Sequence, residues 1–140
     1  MTELVDARTR NGTIHLLAQR IEVSQTDEIA QMSRWLERHG EAVPSAAAPH
    51  AGHEGHSAMM PGMLTEQEMA ELAAAQGTTF DRRFLELMIR HHEGALTMVG
   101  TLFATPGAGQ DVDIFRIASE VDSDQRIEIE RMRRMLESSG

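Results

Sequence analysis

The sequence predicts an all-α protein, a four-helix bundle in which three long helices and one short helix are present and the first helix is truncated. Three observations carry this. Apolar residues recur at helical spacing over long stretches, with no convincing strand between them. Pro/Gly-rich segments break the chain cleanly between those stretches. The two halves also match each other at a fixed offset of 100 residues.

The first long helix is expected from about Thr13 to His39. Ile14, Leu17, Ala18, Ile21, Ile29, Met32, Trp35 and Leu36 share its apolar side, and Gly40 is a natural stop. Residues 41–64 form a connector rich in Pro, Gly, Ala and Ser. Thr65 and Glu68 then fit a capping box opening a short helix through Met69 and Leu72 that ends near Gly77. A long helix follows from about Thr79 to Phe103 and stops at Thr105-Pro106-Gly107. The last runs from about Asp111 to Glu137, with Ile117, Val121, Ile129, Met132 and Met135 on its apolar side.

In the repeat, Ile14, Ala18, Gln25, Glu28, Ile29, Met32, Arg34, Leu36 and Gly40 fall on Ile114, Ala118, Gln125, Glu128, Ile129, Met132, Arg134, Leu136 and Gly140. Two copies of a helical hairpin assemble naturally into a four-helix bundle. The domain therefore divides into a partial first repeat (1–40), the connector (41–64) and a complete second repeat (65–140). Only the fragment Met1 to Arg8 precedes the first copy's long helix, with Met1 opposite Met98 of the second copy. The missing helix should leave an apolar groove, through which a homo-oligomer could form.

Composition narrows the function. The chain has 140 residues, the size of one domain. With no Cys, disulfide frameworks, thiolate zinc sites and cysteine nucleophiles are excluded. Twenty-two acidic against 13 basic side chains give a formal charge of -9, the wrong sign for nucleic acid. No apolar run approaches a membrane span, so no membrane insertion is expected. Against this background 10 Met and 7 His are conspicuous.

On the 79–103 helix, Asp81, Met88, His92, Ala95 and Val99 fall within roughly 40° of one line, in the apolar stripe. His91 is swung about 100° from His92, toward the edge where Met98 also projects. A buried carboxylate and imidazole need partners, because leaving them bare costs several kcal/mol. A structural network satisfies that need if Asp81 caps the helix start and His92 bonds Gln125 or Glu128. Metal ligation satisfies it too, through His91, His92, Met88 and Met98, with Asp81 and Glu128 as auxiliary groups.

The connector adds His50, His53 and His56, then Met59, Met60 and Met63, on a Gly-rich backbone. Short His-rich tracts bind metal by composition. Thioether sulfur selects Cu(I), and imidazole suits copper in either state, so a His/Met set without Cys fits a copper ion, Cu(I) above all; another divalent transition metal is the second choice. Other chemistries fail on spacing. The residues three before His91 and His92 are Met88 and Ile89, so the Glu-x-x-His of a di-iron bundle is absent. His92-Glu93 lacks the second His of a zinc-protease helix. No nucleophile or phosphate loop stands out, and no enzyme is expected.

The stretch Phe80-Asp81-Arg82-Arg83-Phe84-Leu85-Glu86-Leu87-Met88-Ile89-Arg90-His91-His92-Glu93-Gly94-Ala95 resembles the domain of unknown function 305 family, as do the connector and the Gln125 to Ile129 segment. The resemblance covers essentially the whole chain. It implies a ferritin-like four-helix bundle with two His-His helices, export to the periplasm or cell surface, and association with copper binding or resistance. The family pattern lands on Asp81, Met88, His91, His92 and Met98. The first His-His helix and a signal sequence are missing here, and a start upstream of Met1 is expected to account for both. The reading is a copper-binding or copper-sequestering protein. The alternative is a non-catalytic helical interaction module whose buried polar stripe only sets helix register.

Overall fold

The computed structural model describes residues 1–41, 60–107 and 110–138, and all regular structure among them is helical. A single 3₁₀ turn, Thr2–Leu4, leads into α1 (Val5–Arg8). The long helix α2 spans Gly12–Arg38, with Asn11 as its cap accepting from the Thr13 amide. Helix α3 (Glu66–Ala74) opens with both arms of the Thr65/Glu68 capping box and ends three residues short of the Gly77 stop expected from sequence. Gly77 instead begins α4 (Gly77–Ala104), and α5 (Val112–Ser138) closes the chain.

Helices α4 and α5 form an antiparallel hairpin and make the most extensive helix–helix contact of the fold. Helix α2 runs antiparallel to α5. Its C-terminal end is tied to the start of α5 by Trp35 Nε1 donating to Asp111 (3.2 Å) and by Arg38 pairing with Asp113 (3.2 Å). The core lies at the other end, where the N-terminal half of α2 and the C-terminal half of α5 meet α1, α3 and the first half of α4.

That core holds Val5, Ile14, Leu17, Ile21, Leu72, Phe80, Phe84, Leu85, Leu87, Met88, Ile129 and Met132. Phe80 and Phe84 stack with ring centroids 5.7 Å apart. Burying each large side chain contributes roughly 1.5–3 kcal/mol. The opposite end is thinner among the described residues. Ile29 and Met32 lie on the apolar stripe of α2 but are 60% and 43% exposed. Phe103, Val112 and Phe115 are exposed at the same end, where among the described residues no fourth helix lies against α2, α4 and α5. Helical spacing marks which face is apolar; whether anything covers that face depends on the neighbours.

Candidate functional site

The site grows from the stripe of α4 that buries Phe84, Leu85 and Met88. One turn beyond Met88 the same face presents His92, which is 1% exposed. Opposite it, α5 offers Gln125 and Glu128, both buried, followed one turn later by Met132. His92 Nε2 lies 2.5 Å from Glu128 Oε2. A carboxylate accepts, so Nε2 carries the hydrogen, and the short distance is that of a charge-assisted bond. In the neutral tautomer that donates Nε2–H, Nδ1 is the lone-pair nitrogen. It is buried and has no hydrogen-bond partner.

Side chains on a helix lean toward its N-terminus, which directs the imidazole over the Met88 turn. In the antiparallel hairpin Met132 stands one turn from Glu128 in the same direction, and both sulfurs belong to the core cluster. Met88 and Met132 are both core residues and lie one turn from His92 and Glu128 on their respective helices. Glu128 acts as the group that orients the ring, an arrangement in which a carboxylate holds one imidazole nitrogen while the other is free to ligate.

His91 faces elsewhere. Its ring centroid is 6.3 Å from that of His92, with planes inclined at 69°. His91 Nδ1 donates to the Gly62 carbonyl (3.3 Å), which leaves Nε2 as its lone-pair nitrogen. Burial, above all, holds its pKa below the ordinary histidine value, with His92 and the N-terminal amine acting in the same direction against the Gly62 bond.

The polar stripe continues onto α2. The Glu28 carboxyl is held above its ordinary value of 4.5, first by burial and further by Asp124 and Glu128. Hydrogen bonds from Gln125 and Ser24 oppose that shift. Glu28 thus stands near the repeat's other glutamate, Glu128.

The remaining sequence candidates disperse. Asp81 is buried, but its Oδ2 accepts from Asn11 Nδ2 (2.9 Å) and its Oδ1 has no partner. It sits eleven residues before His92, about 16 Å along the helix. It therefore ties the α2 cap to α4 rather than joining the imidazoles. Met98 is 43% exposed and stands two turns beyond His91. Met60 is exposed and Met63 half-buried, in a turn against α4, whereas His50, His53, His56 and Met59 lie outside the described residues. Among the described residues, no three His, Asp or Glu side chains converge as a ready-made metal cluster. Sequence reasoning missed Gly62 and Gly94, which bring that turn onto the helix. A glycine in mid-helix, costing about 1 kcal/mol against alanine, was the available signal.

A bundle with a carboxylate-held imidazole in its seam is the class that fold and site define. The DUF305 family, a domain of unknown function, matches residues 1–136, and the chain belongs to it. It is similar over 99% of its length to a crystal structure of a DUF305 protein from Streptomyces coelicolor, provisionally described as secreted, at 27% identity and TM-score 0.79, covering 82% of that chain. A DUF305 fragment from Deinococcus radiodurans is similar at 31% identity and TM-score 0.78, covering 98% of this chain and 83% of that one. No protein with a curated description matches. Among the described residues, no helix is long and apolar enough to cross a membrane.

Proposed function

We propose that this protein binds and sequesters a soft transition-metal ion, copper as Cu(I), with His92 as the anchoring ligand. The observation that carries the reading is the buried, unpartnered Nδ1 of His92, whose ring is held by Glu128 one helical turn from the core residue Met88. A buried nitrogen lone pair without a donor is unfavourable, and a cation would satisfy it. Imidazole and thioether together fit Cu(I). When bound, the ion would be held and passed on rather than turned to chemistry, and export from the cytoplasm fits the secreted description of the Streptomyces relative.

Competition against a Cu(I) chelator tests this. Wild type is expected to compete, and His91→Ala/His92→Ala to lose that capacity; unchanged affinity in the double variant overturns the reading. Glu128→Gln, which leaves the ring unheld by charge, is expected to weaken binding by about 10–100-fold.

A second reading draws on the uncovered stripe. Ile29 and Met32 leave α2 with an apolar face that a second copy of the chain could cover. Ile29→Glu/Met32→Glu would then abolish a dimer seen for wild type by sedimentation. A monomeric wild type removes this reading without touching the first.

A further inference from the structure

The histidine pair and the end of the connector look unrelated in sequence, separated by 28 residues or more. In the fold they are in direct contact. Gly62 and Gly94 meet backbone to backbone. A Cβ on Gly94 would run into the Pro61 carbonyl and come within 2.5 Å of Gly62 Cα. A Cβ on Gly62 would stand 2.8 Å from the Arg90 carbonyl oxygen, 2.9 Å from Gly94 Cα and 2.9 Å from the His91 carbonyl oxygen. No side chain fits at either position without pushing the segments apart.

The segment seated there is a tight turn. The Met63 amide donates to the Met60 carbonyl (3.1 Å), and Gly62 has φ +78°. Proline at the second position and a positive-φ glycine at the third are the requirements of a type II turn, which holds the first and fourth Cα atoms within about 7 Å. The two flanking residues are both methionines. The carbonyl of Gly62, between them in the chain, accepts the Nδ1–H of His91. That bond turns the other ring nitrogen into a lone-pair donor.

We infer that the adjacent histidines serve two separate sites, and that His91 with the Met60 and Met63 thioethers forms a second, surface-accessible site for a soft monovalent cation, with Gly62 and Gly94 as its positioning residues. The donors are one imidazole nitrogen and two thioether sulfurs, the set that suits Cu(I) and its redox-inert analogue Ag(I). The site opens at the surface, since Met60 is 56% exposed, whereas His92 is sealed in the helix seam. An ion arriving at the turn would be one residue along α4 from the interior ligand. The inference shares the soft-metal chemistry of the proposed function but stands on different residues.

Ag(I) titration of the whole chain, followed by NMR of the methionine methyl groups and histidine rings, tests it. The Met60 and Met63 methyls and the His91 ring are expected to shift together in one binding step. Met60→Leu/Met63→Leu should abolish the His91 response while leaving that of His92. Gly94→Ala, which strengthens the helix locally but expels the turn, should weaken the same step by about 10–100-fold, as loss of ligand orientation does. A His91 ring that responds equally in wild type and in both variants overturns the inference, as does a wild-type titration in which it never moves. Because the His92 ring is read separately, its silence would count against the buried site alone.

Discussion

Helices α2 and α5 carry the same pattern of residues and meet different fates. Ile129 and Met132 are 5% and 0% exposed, and Glu128 holds an imidazole; at the matching positions Ile29 and Met32 are 60% and 43% exposed, and Glu28 is half-buried beside Asp124 and Glu128. Composition and helical period are shared, so the difference comes from the partner. Helix α5 packs along α4, a helix with Met88 and His92 on its facing stripe. Among the described residues, no fourth helix lies against the corresponding part of α2. A repeat can thus preserve a site's half-pattern without preserving the site.

The largest expected effect breaks this comparison directly. Ile129→Ala should cost about 2–4 kcal/mol of stability in urea unfolding, as for other core deletions, whereas Ile29→Ala should stay within about 0.5 kcal/mol. Equal losses would mean that α2 is covered in solution.

A smaller effect separates the two glutamates. Glu128→Gln weakens a buried charge-assisted bond and should cost about 1–3 kcal/mol. Glu28→Gln should raise Tm at pH values above the ordinary carboxylate range, because burial first, and then Asp124 and Glu128, disfavour the charged carboxylate in the folded state. The sign follows from the raised folded-state value. Folding favours protonated Glu28, so its contribution is complete below about 4.5 and is lost as pH rises through the folded value. The advantage of the Gln variant should therefore shrink as pH is lowered toward 4.5. A pH-independent difference would place Glu28 in open solvent.

The smallest effect concerns α3, an element that only the second half carries. Both Glu68 oxygens accept from Arg90, at 2.6 Å each, and this pair more than any other cause pulls the Glu68 carboxyl down to about 2. Arg90→Gln should return it toward 4.5, read by NMR titration. The depressed value stabilises the fold above the ordinary carboxylate range, and that contribution fades as pH falls from about 4.5 to about 2. Loss of the pair should leave the His92–Glu128 bond intact.

Local rules made much of the architecture readable. The Thr65/Glu68 cap, the Gly and Pro stops and the apolar period placed four helices to within a few residues, and the stripe on α4 identified His92 as buried. The pairing of His92 with Glu128 was one of two partners that helical spacing allowed, and only packing chose between Gln125 and Glu128. Asp81 shares a helical line with His92, yet period alone says nothing about the 16 Å or so of axial rise that separates them.

By itself the sequence determined which residues are helical, which faces are apolar and that soft donors concentrate on one helix and one connector, because these follow from period, capping and composition along the chain. Tertiary structure alone decided that Glu128 orients His92, that Asn11 takes Asp81, and that two glycines seat the turn of residues 60–63 on α4 with the Gly62 carbonyl on His91. Those pairings depend on how closely distant backbones can approach, and that distance is set by packing between segments far apart in the chain.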